Sequence, residues 1–328
     1  MIRNLYYYLG REQDPHRNLA LEEYLTATVP AETCILYLWQ NAHTVVIGRN
    51  QNAWQECRTA LLQQEGGVLA RRLSGGGAVY HDLGNLNFTF SLRAEDYDLR
   101  RQQTVLLEAC RSLGVEAELS GRNDILAGGR KFSGNSFYSH AGRSFHNGTL
   151  LLRVDMENLG RYLNPSQVKL ESKGVSSVRS RVVNLTELVP SLTKEDMEQA
   201  LVRAFGRVYG LTPQPLRSED FDRAALEAGY RRFHSDEWTY GEKLPFTASL
   251  ATRFDWGEIT LQLQVEGGKV RAAAVYTDAL DEGFALPLAE GLRDRPFTAA
   301  GLCAAVEETP ACAAVAGELC RFLRQQDI

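Results

Sequence analysis

Between positions 71 and 82 the chain reads Arg71-Arg72-Leu73-Ser74-Gly75-Gly76-Gly77-Ala78-Val79-Tyr80-His81-Asp82. Three consecutive glycines are costly, because glycine loses more backbone freedom on folding than any other residue. Such a run belongs where the backbone bends tightly or lets something come close. The next stretch, Leu86-Asn87-Phe88-Thr89-Phe90-Ser91-Leu92, alternates with period two and predicts a half-buried strand. The glycines therefore fall between strands. A P-loop or a dinucleotide fingerprint needs a different glycine pattern that opens a helix, and neither occurs here. A plain tight turn would account for the glycines alone. The arginine pair and the Ser, Tyr, His and Asp around the bend favour a cradle for an anion.

A chain of 328 residues carries material for about two domains. Its formal net charge of -5 disfavours a broad nucleic-acid surface, though it leaves room for a local basic site. Only six of its 36 cationic residues are lysines, so a lysine in a conspicuous place is informative. The six cysteines, Cys34, Cys57, Cys110, Cys303, Cys312 and Cys320, form no C-x-x-C pair, which argues against a zinc site or a disulfide framework. No secretory signal opens the chain and no apolar run approaches a membrane span, so a soluble, cytoplasmic protein is expected.

In chain order, a short strand at Tyr6–Tyr8 precedes a helix that Asn18 can cap, with Glu22 and Glu23 on a solvated face. Cys34–Trp39 and Thr44–Gly48 predict buried strands, and Trp54–Gln64 a helix stopped by Gly66-Gly67. A helix over 101–113 ends at Gly114. A second polar stretch follows, Gly121-Arg122-Asn123-Asp124, and then a Gly128-Gly129 hairpin turn that would deliver Lys131 onto a rigid strand. Taken alone, Lys131 could be a solvated hairpin lysine and His146 a structural histidine bonded to backbone. Asp155–Leu163 predicts a short helix, and Pro165–Val183, with Lys169, Lys173, Arg179 and Arg181, a polar connector expected to move. Amphipathic helices are expected at Lys194–Tyr209 and Glu219–Ala228. The pattern changes near Trp238–Phe246, which divides a domain at 1–246 from one at 247–328. The second part predicts a hairpin, Glu258–Val265 with Val270–Tyr276, and helices at Thr298–Glu307 and Cys312–Leu323. It holds no polar cluster, so no chemistry is expected of it.

The polar inventory is rich in anion donors and poor in paired acids and metal cages. That suits phosphoryl or nucleotidyl chemistry, in which catalysis is mostly positioning and charge stabilisation. Ser74 lacks the G-x-S-x-G turn of a serine nucleophile.

The segment from Arg71 to Asn85 closely resembles the central motif of lipoate–protein ligases. The resemblance continues through Val45–Asn52, Gly121–Asp124, Arg130–Gly134, His146–Leu151 and Lys173–Val182, and through Trp238-x-Tyr240-Gly241 with Pro245. It covers most of residues 16–246, and the remainder looks like the accessory domain of the longer, bacterial-type ligases. The fold so implied is α+β: a catalytic domain with a mixed β-sheet and helices, like that of biotin and lipoate ligases, plus a small α+β C-terminal accessory domain.

The resemblance implies a salvage reaction in two steps. ATP activates lipoate to lipoyl-AMP, and the lipoyl group passes to a lysine of an acceptor. The acceptors implied are the lipoyl domains of 2-oxoacid dehydrogenase E2 subunits and the glycine-cleavage H protein, with neither nucleic acid nor membrane as partner. By motif, Lys131 would be catalytic, touching the α-phosphate and the lipoyl carbonyl oxygen. Arg72 would hold the carboxylate or phosphate end, and Gly77, Ala78, Val79 and Tyr80 would contact the nucleotide. Asn123 and Asp124 would orient ribose or Mg²⁺, with Asp124 the metal ligand. Ser74, Gly75, His81 and His146 would face lipoate, with Leu19, Val46 and Leu73 in the wall of its apolar slot. The family often has two consecutive histidines where this chain has His146-Asn147, and asparagine cannot act as an acid–base near neutral pH. An alternative of the same fold is a lipoyl or octanoyl amidotransferase without the ATP step. Its thioester-forming version is disfavoured because no cysteine lies in the Ser74, Lys131 or His146 motifs. A non-catalytic lipoate- or nucleotide-binding protein is a further alternative, opposed by the presence together of Arg72, the glycine triplet and Lys131.

Overall fold

The computed structural model describes residues 1–121, 123–164, 182–241, 244–326 and 328. Arg122, residues 165–181 of the connector Pro165–Val183 that was expected to move, and residues 242–243 at the expected boundary lie outside the described residues. Among the described residues, fourteen strands form three sheets. They are β1 (Asn4–Leu9), β2 (Thr33–Trp39), β3 (Thr44–Ile47), β4 (Val68–Arg71), β5 (Val79–His81), β6 (Asn85–Arg93) and β7 (Ala117–Ser120), then β8 (Asp124–Ala127), β9 (Arg130–His140), β10 (Arg143–Leu151), β11 (Gln214–Pro215), β12 (Ala248–Phe254), β13 (Gly257–Glu266) and β14 (Lys269–Thr277).

The main sheet runs β11-β1-β2-β6-β10-β9-β8-β7 and is mixed: β1 is parallel to both neighbours, and the other pairs are antiparallel. One face is apolar. Leu36, Leu38, Phe88, Phe90 and Phe132 pack there with the helices Leu99–Ser112 and Lys194–Tyr209. The opposite face is polar yet still buried: Asn85, Asn87, Thr89 and Ser91 of β6 are each 2% exposed or less. The alternation along β6 therefore marks a strand buried on both sides, not the half-buried strand expected. Tyr37, Thr89, Asn147 and Ser136 line up across β2, β6, β10 and β9 on this polar face.

Lying over the polar side, the helix Pro15–Thr28 is capped by Asp14, whose Oδ1 accepts from the amides of His16 at 2.8 Å and Arg17 at 3.1 Å. Asn18, the expected cap, instead sits inside the first turn, and its Nδ2 donates to the carbonyl of Gln40 at 2.8 Å. Glu22 also departs from expectation. It is buried, and its Oε1 accepts from Thr89 Oγ1 at 2.6 Å and Asn147 Nδ2 at 2.9 Å, which joins the helix to β6 and β10. A short polar side chain at each sheet position is what lets a carboxyl enter there.

The small sheet β4-β3-β5 carries the glycine bend between β4 and β5. The expected helix at Trp54–Gln64 is two pieces, Ala53–Glu56 and Thr59–Gln64. The break falls at Cys57, which takes an extended conformation and bridges Leu163. The helix expected at Glu219–Ala228 runs Arg223–His234, capped by Asp222. The C-terminal unit holds the expected hairpin, a third strand, β12, and an unexpected helix at Ala285–Gly291, closed over Leu261, Leu263, Leu288 and Leu302. Among the described residues, no helix is long and apolar enough to cross a membrane.

Burial raises the Glu22 carboxyl to about 7, even though the bonds from Thr89 and Asn147 pull it down. The folded protein therefore holds this proton more tightly than the unfolded chain. The stability that this confers is complete below the ordinary value of 4.5 and is lost as pH rises through about 7. Glu22→Gln should match the wild type near pH 4.5 and exceed it by up to about 3 kcal/mol above pH 7 in urea melts. A gap that does not vary with pH would contradict this.

Candidate active site

The glycine bend is held from behind by two buried arginines. Arg72 donates from Nε and Nη2 to the carbonyl of Gly75 at 3.2 and 2.7 Å, from Nη2 to Gly77 at 2.9 Å, and from Nη1 to Val46 at 3.2 Å. Arg71 donates from Nη1 to the carbonyls of Gly48, Arg49 and Gln51 at 3.1, 2.8 and 2.7 Å, and from Nε and Nη2 to Thr239 at 3.0 and 2.8 Å. Burial lowers both guanidinium groups to about 10, yet leaves them charged near neutrality. Gly76 sits at φ 90°, and the carbonyl of Gly76 lies so close to Gly48 that a Cβ there would overlap it. The two loops thus need glycine on one side for contact and on the other for conformation.

Lys131 arrives from across the main sheet. Gly128 and Gly129, at φ 57° and 73°, make the two-residue turn between β8 and β9. The register then slips, so that Leu126 faces Lys131 while Ile125 faces Ser133, with Phe132 as the extra residue. This bulge sends Phe132 into the apolar core and turns Lys131 to the polar side with Gly134 and Ser136. Lys131 Nζ meets Asp124 Oδ1 at 2.7 Å, with about a third of each side chain exposed.

The glycine bend and Lys131 open onto one cavity of about 720 Å³. Leu19, Trp39 and Val46 make an apolar stretch of its wall. Asn87, Ser136, Asn147 and Thr149 of the main sheet also line it. His81 is a wall residue whose Nδ1 accepts from Asn41 Nδ2 at 3.1 Å, which leaves the ring proton on Nε2. Nε2 is buried with no hydrogen-bond partner among the described residues, and burial, then Arg72, lower the ring to about 3, so it is a neutral donor.

Of the residues singled out from sequence, Leu19, Val46, Arg72, Gly77, Ala78, Val79, Tyr80, His81, Asn123, Asp124 and Lys131 line the cavity. The other four stand outside its lining. Leu73 packs in the core with Leu19 and Phe145. Ser74 Oγ is 2.9 Å from Ser136 Oγ, one layer back. Gly75 abuts the carbonyls of Ala279 and Leu280. His146 lies on the apolar face, its ring nitrogens bonded to the side chains of Gln102 at 3.1 Å and Asn135 at 2.7 Å and not to backbone. Trp39, Asn87, Ser136 and Thr149 were not expected. The alternation of β6 carries a signal for Asn87, and pairing register, invisible in one strand's sequence, brings in the others. The C-terminal unit also differs from expectation, since Arg253, Gly257, Asp278 and Leu280 reach the same wall.

Neutral donors, one ammonium and two guanidinium groups can hold a carboxylate or phosphate and stabilise charge that develops on it. All six cysteines are buried and none lines the cavity, so no thiolate is available to form a thioester there. Among the described residues no three His, Cys, Asp or Glu side chains are grouped to hold a metal ion.

Known proteins resemble the chain over most of its length. Residues 14–206 match the family described as the lipoyl protein ligase A/B catalytic domain, and residues 243–317 match the bacterial lipoate protein ligase C-terminus. A relative from Blochmanniella pennsylvanica called lipoate-protein ligase A is 42% identical over 299 residues, covering 88% of each chain. The structure of P. falciparum LipL1 in complex with lipoate superposes with a TM-score of 0.84 at 25% identity, over 98% of this chain and 99% of that one. A lipoate-protein ligase A bound with ATP gives a TM-score of 0.64 at 25% identity, over 73% and 99%.

The packing of Gly48 on Gly76 yields a test. Gly48→Ala forces a methyl group against backbone and should cost about 1–3 kcal/mol in urea melts. Gly160, which has open space around it in the helix Met156–Tyr162, is the control, and Gly160→Ala should not destabilise. Equal stability of the two variants would contradict the close approach.

Proposed function

This chain belongs to the lipoate–protein ligase family, and from that premise we propose that it lipoylates acceptor domains through a lipoyl-AMP intermediate. It is an ATP-dependent ligase. A carboxylate oxygen of lipoate attacks the α-phosphorus of ATP, and the bond to the bridging oxygen breaks to release pyrophosphate. The ε-amine of an acceptor lysine then attacks the acyl carbon. An amide forms, AMP leaves with the former carboxylate oxygen, and the amine gives up a proton. The acceptors in this reading are E2 lipoyl domains and the glycine-cleavage H protein.

The observation that supports the mechanism best is that Lys131 and the glycine bend share one cavity. In this reading Lys131 leaves Asp124 for the α-phosphate and the lipoyl carbonyl oxygen, where its charge opposes the charge that develops in both steps. Arg72 keeps the bend in shape and, with four of its five N–H groups already bonded to carbonyls, offers the remaining one to the bound anion. Gly77–Tyr80 contact the nucleotide, and Asn123 with Asp124 its ribose side. The lipoyl chain lies along Leu19, Trp39 and Val46, where four methylenes at ~0.8 kcal/mol each contribute about 3 kcal/mol. His81 donates from Nε2 to a lipoate oxygen.

Mg²⁺ commonly binds through one or two carboxylates plus substrate phosphates, so Asp124 would be the residue to hold it, and the ion would neutralise phosphate charge. This assignment agrees with the lack of a three-residue cage among the described residues.

Incubating a purified lipoyl domain with the protein, ATP, Mg²⁺ and lipoate should add one lipoyl group to one lysine, read by mass spectrometry. Lys131→Ala should slow lipoyl-AMP formation about 10²–10³-fold. Undiminished synthesis by that variant would remove Lys131 from the chemistry. Modification from a carrier-bound acyl group, with none from lipoate and ATP, would favour the amidotransferase.

A further inference from the structure

The C-terminal unit is seated on the glycine bend by backbone bonds. The amide of Gly76 donates to the carbonyl of Ala279 at 2.9 Å, and the amide of Thr277 donates to that of Asn50 at 3.0 Å. Asn50 Nδ2 also donates to the carbonyl of Glu282 at 2.9 Å. These contacts fix the segment 277–282 against the bend, and with it the cavity-lining residues Asp278 and Leu280. Arg253, on β12, is held to this segment and faces the same cavity.

Its guanidinium is only loosely engaged by protein. Nη1 lies 3.5 Å from both Glu258 Oε2 and Asp278 Oδ2, while Nε and Nη2 make no hydrogen bond among the described residues. The side chain is nonetheless only 18% exposed, so it is held at the wall and not loose in solvent. Elsewhere in the cavity the positive charge is largely engaged already, with Lys131 on Asp124 and Arg72 on four carbonyl contacts. A nucleoside triphosphate brings several negative charges at the end away from its base. A planar fork with unused N–H groups matches phosphate oxygens in pairs.

We propose that Arg253 binds the β- and γ-phosphates of ATP, which leave as pyrophosphate, and so makes the C-terminal unit part of the nucleotide site. The inference rests on the ligase reading above and concerns Arg253 alone. Once pyrophosphate has gone, nothing is left for Arg253 to hold.

The test separates the two steps in the full-length protein. Arg253→Met should lower kcat/KM for ATP in lipoate-dependent pyrophosphate release by about 10–100-fold, the effect of losing hydrogen bonds to a charged group. Arg253→Lys should recover part of that loss. For both variants, KM for lipoate and the rate of transfer from supplied lipoyl-AMP to a lipoyl domain should stay at wild-type values. If Arg253→Met melts early, the lysine variant, which keeps the charge and loses the fork, carries the comparison. Unchanged kcat/KM for ATP, or equal loss in both steps, overturns the proposal. Wild-type protein that neither releases pyrophosphate nor lipoylates would remove the ligase reading, and this inference with it.

Discussion

Two guanidinium groups buried behind a bend of three glycines are the constraint on which the rest of this molecule depends. An ion taken out of water is costly unless its hydrogen-bonding capacity is filled. Here the partners are backbone carbonyls, and among the described residues no direct ion pair cancels the charge of Arg71 or Arg72. The bend is therefore shaped by cations from within. Arg71 extends the same logic outward. Its bonds to Thr239, returned by Trp238 Nε1 donating to the carbonyl of Arg71 at 2.8 Å, tie the glycine bend to the segment that precedes the C-terminal unit.

The second condition is a sheet with two buried faces of opposite character. The apolar face supplies cohesion through Phe88, Phe90 and Phe132, whereas the polar face supplies a floor of short side chains that a ligand can lie on. Glu22 belongs to that floor's support. Its carboxyl, raised to about 7 by burial, is largely protonated below neutrality and accepts from Asn147 Nδ2; Asn147 Oδ1 in turn accepts from Ser136, whose hydroxyl is bonded to that of Ser74. Such a network keeps Asn147 oriented without placing a fixed charge beside an apolar tail.

Much of this was legible in sequence, and the exceptions have physical causes. The glycine bend and the hairpin lysine could be read because special backbone conformations demand special residues, and those residues cluster in sequence. Glu22 could not, since a helix carrying Leu19, Glu22, Glu23 and Leu25 looks the same whether its partner surface is water or a polar sheet face. The alternation of β6 misled for the same reason: period two reports two different faces, and only the fold shows that neither meets solvent. His146 was placed with the ligand because its motif neighbours are there, but its position in the strand puts it on the opposite face from Asn147. Arg253 was missed because the features that mark it, the seat of Ala279 on Gly76 and the cavity behind it, are long-range contacts with no local signature.

The central claim is that one pocket, walled by the glycine bend on one side and Lys131 on the other, holds an acyl-adenylate. A crystal structure of the protein with lipoyl-AMP, or with an unreactive sulfamoyl counterpart, tests it directly. The account predicts the acyl chain along Leu19, Trp39 and Val46, with Lys131 Nζ moved from Asp124 onto the linkage between acyl group and adenosine. An adenylate bound elsewhere, or Lys131 still paired with Asp124 while the pocket is filled, would contradict it.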